Sequence, residues 1–114
     1  MYRLLLPIRF GGKAENIKLI FFANDKNGML NAMVDTFGRN IKMTPARKED
    51  IEKIFTDPSL ADRSDGEWIL ARVQASLRGM ALFATQYSAD LRILSPAELV
   101  DEVRNRLKKA IELY

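Results

Sequence analysis

Between Asn16 and Ala23 the side chains alternate on a period of two. Ile17, Leu19 and Phe21 fall on one face, and Lys18, Ile20 and Phe22 on the other. Both faces carry apolar groups, so this stretch predicts a central strand. The same period returns from Glu67 to Ser76, with Ile69, Ala71, Val73 and Ala75 opposed to Trp68, Leu70, Arg72 and Gln74. Shorter strands are predicted at Asn40 to Thr44 and at Leu91 to Leu94. Between them the period changes to that of a helix. Leu30, Met33, Val34 and Phe37 predict one helix, entered through the turn residues Asn24-Asp25-Lys26-Asn27-Gly28 and ended at Gly38 in the left-handed conformation. Met80, Phe83, Ala84 and Tyr87 predict the inward set of a second, over 77–87.

The last stretch carries the strongest helical signal. Val100, Val103, Leu107, Ala110 and Tyr114 recur at spacings of three and four, and Leu99 and Ile111 widen the stripe. Ser95-Pro96-Ala97-Glu98 predicts a capping box, with Ser95 as cap and Pro96 at the first helical position. Glu102 stands four residues before Arg106, the better order for a helical ion pair. A helix so apolar on one side needs a core or a second copy against it. Val100, Val103, Leu107 and Tyr114 are therefore expected to form a core or dimer seam.

Two segments stand outside this rhythm. Residues 1–12 read as an N-terminal arm or linker remnant ending at Gly11-Gly12. Residues 45–66 read as an excursion: Thr44-Pro45 starts a short helix, Ile51, Ile54 and Phe55 give it one apolar face, and Asp57-Pro58 stops it. This is the segment expected to be most mobile.

Residues 13–114 thus run strand, helix, strand, strand, helix, strand, and then a further helix. The fold class expected is α+β: a ferredoxin-like βαββαβ sandwich with a four-stranded antiparallel sheet plus an extra C-terminal helix. The right-handed crossover rule puts both crossover helices on one face of the sheet. The other face would then be open, carrying Lys18, Ile20, Phe22, Trp68, Leu70, Arg72, Gln74, Arg92 and Leu94.

Composition narrows the chemistry. The 114 residues contain no cysteine and no histidine. That removes disulfides, thiolate metal sites and every Ser-His or Cys-His arrangement. No cofactor and no metal is expected, and the chain reads as non-enzymatic. Asp35 is a lone carboxylate, Glu98 is explained by capping, and Asp62, Asp65 and Glu67 lack the calcium-loop pattern. Net charge is +3, unevenly spread: residues 1–48 carry nine basic against three acidic side chains, and residues 49–67 carry two against seven. No apolar run is long enough for a membrane span, and a cytoplasmic location is expected.

Phe10-Gly11-Gly12, Ile17-Lys18-Leu19 and Met33-Val34-Asp35-Thr36-Phe37-Gly38, followed by Ser95-Pro96, Leu99 and a helix closing on Tyr114, resemble the C-terminal extension domain of WYL-domain bacterial transcriptional regulators. The resemblance covers roughly residues 9 to 114 and rests on order and spacing more than on any one motif. It implies a regulatory and dimerisation domain that contacts a second copy or a partner's WYL domain and contributes to sensing a nucleic acid or nucleotide-like effector. Neither a helix-turn-helix nor a Trp-Tyr-Leu motif is present, so the chain reads as the tail of a regulator or a truncated relative. The 45–66 excursion is longer than that family leads one to expect.

On the predicted open face, Lys18, Arg72 and Arg92 lie beside Phe22 and Trp68. Cations beside aromatics suit phosphates and stacked bases, so these five are the candidate ligand- or partner-binding residues. The competing reading is that something covers this face: the last helix, residues 1–10 or a second subunit. The alternative function on the same residues is a free-standing module that binds single-stranded nucleic acid or a small anion. Arg39, Lys42, Arg47 and Lys48 form a second basic group, read as a solvated edge that discourages strand-to-strand aggregation.

Overall fold

A computed structural model describes residues 13–114; the arm expected at 1–12 lies outside them. Strands β1 (Glu15–Ala23), β2 (Ile41–Pro45), β3 (Glu67–Ala75) and β4 (Leu91–Ser95) form one antiparallel sheet in the order β2-β3-β1-β4. Helices α1 (Met29–Phe37), α3 (Leu77–Gln86) and α4 (Ala97–Glu112) belong to one core on one side of it, and α2 (Lys48–Ile54) lies within the excursion. This is the ferredoxin-like order with an extra C-terminal helix.

The period of two in β1 sets the layers. Its odd residues Ile17, Leu19 and Phe21 are fully buried, and β3 adds Ala71 and Val73 beside them. α1 brings Met29, Met33 and Phe37 to this core, α3 brings Met80, Phe83 and Ala84, and α4 brings Leu99 and Val103. The Phe37 and Phe83 rings meet edge-on at 5.0 Å, joining α1 to α3.

Three local expectations are corrected. In α1 the buried stripe is Met29-Met33-Phe37, while Leu30 and Val34 are nearly half exposed. One residue turns a helix by about 100°, so the choice between neighbouring stripes is settled by how the helix lies on the sheet. At α4 the cap is Pro96, not Ser95, because Ser95 is still paired in the sheet opposite Lys18. No side chain caps this helix; the Pro96 carbonyl accepts from Leu99 and Val100 N–H groups instead. α2 begins at Lys48, not at Pro45, because β2 continues through Pro45, which is opposite Ile69, and Ala46 N–H then donates to Trp68 O. The turn before α1 works as expected: Asn27 Oδ1 accepts from Met29 N–H, and Gly28 takes the left-handed conformation. Gly38 has positive φ, with ψ outside the left-handed helical region.

The largest difference is the excursion. Far from being a loose loop, it packs on the second face of the sheet. Phe55 and Ala61 are buried there with Ile20, and Ala46, Ile51, Ile54, Trp68, Leu70 and Leu94 pack against them in part. The Trp68 ring lies 5.2 Å from Phe22 and 5.1 Å from Phe55. Its indole N–H donates to Ala61 O at 2.9 Å, which satisfies the one polar atom of a ring otherwise inside an apolar cluster. Asp57 caps the 3-10 turn at Pro58–Ala61 by accepting from Ser59 N–H and Oγ, and these bonds hold its carboxyl below the usual carboxylate range. At the far end of the excursion, the glycine at 66 lets β3 start hard against β1: a Cβ there would run into the Ala23 carbonyl oxygen.

Replacing Phe55 with Ala removes the ring that holds the excursion down. Burial of a core phenylalanine predicts a loss of about 3 kcal/mol in denaturant unfolding. Trp68 emission should shift to the red, and amide exchange should quicken selectively over 46–66. Unchanged stability and emission would mean that the excursion does not depend on this ring.

Candidate functional site

The second face of the sheet divides into two halves of different character. At one end Phe22 is fully buried and Trp68 largely covered, both beneath the excursion. The expected exposed aromatic pair is therefore corrected: the chain itself fills that position. Arg92 also belongs to this half. Its guanidinium donates to Ile54 O at 2.8 Å and lies 5.4 Å from the Phe55 ring centroid, so it fastens the excursion. Arg63, which no periodicity singles out, does the same from the other side. It lies over the Phe22 ring at 3.8 Å and pairs with Asp90 at 2.8 Å.

The other half is open. Lys18 on β1 and Arg72 on β3 are direct cross-strand partners, and Lys42 on β2 is the next partner of Arg72. All three are exposed, so three cations stand abreast on adjacent strands. Direct partners in an antiparallel sheet hold their Cβ atoms about 5 Å apart, and like charges so placed repel. Among the described residues none of the three has a carboxylate within ion-pairing distance. Alternation gives the reason, since the strand positions on this face contain no Asp or Glu.

Two shallow depressions flank the row. One, of about 520 Å³, reaches Arg39, Asn40, Asn16 and Gln74. The other, of about 530 Å³, has Thr44, Leu70 and Leu94 on its floor. Of the five candidate residues the structure thus keeps Lys18 and Arg72 together in the open, sets Phe22 and Trp68 apart beneath the excursion, and leaves Arg92 exposed at its edge. It adds Lys42 and Arg39, which the sequence reading had assigned to a separate edge group. Pairing β2 against β3 by alternation would have brought Lys42 onto the face of Arg72.

The remaining candidates lie on α4. Val103 is buried in the main core, Val100 and Leu107 pack against it in part, and Tyr114 is exposed with Ile111 and Leu113. Arg106 pairs with Glu102 at 2.7 Å. Among the described residues no three acidic side chains gather where they could hold a metal ion, and no helix is long and apolar enough to cross a membrane.

Comparison with known families gives a match to the WCX domain over residues 37–111. That span is more than half of the chain and runs from the end of α1 through the excursion into α4. The chain belongs to the WCX domain family. WCX domains are the C-terminal extensions of WYL-domain regulators, so this is a regulator-associated domain. Neither the curated proteins nor the solved structures contain a significant match. In this WCX domain the basic row is thus carried by strands of a regulatory fold, with its cations held in unfavourable proximity.

Replacing Arg72 with Gln removes the middle charge. The isolated domain should become more stable, by a few tenths to about 1 kcal/mol, because two like-charged pairs disappear. The gain should shrink at high ionic strength. A loss of stability in low salt would show that the row is not electrostatically strained.

Proposed function

We propose that this WCX domain is a non-catalytic regulatory module of a WYL-type transcriptional regulator, and that the open half of its sheet receives an anionic effector. The observation that carries this reading is the row Lys18-Arg72-Lys42: three exposed cations in register, unneutralised by any acid among the described residues. Folding alone gives no reason to align like charges on three neighbouring strands, whereas an anion laid across them relieves the repulsion. Nucleic acid and nucleotide-like effectors both have the required charge. The test is titration of the chain at low salt with nucleotides and short oligonucleotides. Binding is expected, and Arg72→Ala should weaken it and reduce its dependence on salt. Absence of binding to any of these anions at low salt would end the proposal.

A second contact is supported by a separate observation. Beyond Leu107 the apolar stripe of α4 leaves the core, and Ile111, Leu113 and Tyr114 are exposed together at the end of that helix. We assign this end to contact with a second copy or with a partner's WYL domain. Light scattering after size exclusion should give a dimer that Ile111→Ser combined with Leu113→Ser converts to monomer. A wild-type chain that stays monomeric at high micromolar concentration would remove the homodimer and leave the WYL contact to be measured directly.

A further inference from the structure

We infer that the ligand of the open half-face is a compact polyphosphate, of the kind carried by a nucleoside di- or triphosphate, and not a single nucleic acid strand. The inference rests on the reading that this face binds an anion, and it chooses between the anions that reading allows.

The first argument is what the excursion has taken away. Strand-binding sheets get sequence-tolerant affinity by stacking successive bases on exposed aromatic rings. Among the described residues, the aromatics on this face of the sheet strands are Phe22 and Trp68. Phe22 has no exposed surface, with the Arg63 guanidinium over its ring, and Trp68 is held by Phe55 and by its bond to Ala61 O. Among the described residues, a strand crossing the open half would find phosphate contacts and no free ring on which to stack its bases.

The second argument is the pitch of the charges. Neighbouring strands lie about 4.8 Å apart, so Lys18, Arg72 and Lys42 place three cations within roughly 10 Å of backbone. Phosphoryl groups that share a bridging oxygen concentrate their charge on a similarly short line. A nucleic acid strand separates successive phosphates by a sugar and its linkages, and meets such a row with fewer of its charges. Arg39 continues the positive potential beyond the row, over the depression shared with Asn16 and Gln74.

The third argument is what lies on the other side. Leu70 and Leu94, both partly exposed, floor the second depression next to Lys18, Lys42 and Arg72. Thr44 stands beside them with a hydroxyl. This apolar floor next to concentrated charge suits an anion with a ring system attached.

Calorimetric titration of the whole chain at low salt, with inorganic tripolyphosphate, a nucleoside triphosphate, its monophosphate and an oligothymidylate, tests the inference. Tripolyphosphate and the triphosphate should bind, with the monophosphate about tenfold weaker or more and the oligothymidylate weaker than the triphosphate. Combining Lys18→Ala with Arg72→Gln should cost the triphosphate at least about tenfold, while Lys108→Ala with Lys109→Ala on α4 leaves it unchanged. Circular dichroism of each variant checks that the fold is retained. If the oligothymidylate binds more tightly and tripolyphosphate fails to displace it, the face accommodates a strand; this inference is then wrong and the effector-binding reading stands. If neither polyphosphate nor oligothymidylate binds, both are wrong. If the α4 pair matters as much as the row, the site is not on the sheet.

Discussion

The contact on which the arrangement of this domain turns is the edge-on and tilted cluster of Phe22, Trp68 and Phe55. Two of these rings rise from neighbouring central strands and the third descends from the excursion. A βαββαβ fold with both crossover helices on one side leaves the back of its sheet to be dealt with. A back that carries Ile20, Phe22 and Trp68 is costly to leave in water. Here the chain supplies its own cover, with Arg63 and Arg92 turning their charged ends to carbonyls, rings and Asp90 around the edges of the patch.

That cover reaches only part of the way. The aromatic end of the face becomes a second, small core, and the basic end is left in solvent. The two ends therefore differ in character, although the strands that build them are the same. Every second residue of β3 contributes: Trp68 to the covered end, Leu70 at the boundary, Arg72 and Gln74 to the open one. Membership of the WCX domain family puts this division in a regulator-associated domain.

The strands, their order and their inward faces were legible in the chain, because a period of two sustained over nine residues leaves only one way to bury Ile17, Leu19 and Phe21. The family resemblance was legible too, from the spacing of short motifs along the chain. What could not be read was the destination of the excursion. A seven-residue helix with Ile51, Ile54 and Phe55 on one side announces that it will bury something, but its pattern holds no direction. Arg63 is hidden for the same reason: its partners Phe22 and Asp90 lie far off in sequence on either side, and only the closed structure brings them within reach. The surroundings of the candidate residues were legible only in part in consequence. Lys18 and Arg72 depend on strand alternation alone, whereas the exposure of Phe22 and Trp68 depended on where a loop would go.

The position of β1 has a bearing on how the domain is assembled. This strand is first in the described chain, yet it lies inside the sheet, with β3 along its whole length on one side and β4 on the other. The family match begins at residue 37, after β1 has ended. A polypeptide trimmed to the matched stretch would lack the piece that bridges the β2-β3 hairpin to β4, leaving two fragments with no ladder between them. Closure of the sheet accordingly waits on pairings between residues some fifty and seventy positions apart, here Lys18 with Arg72 and Phe21 with Leu91. Such distant pairings slow folding relative to a helical bundle of the same size.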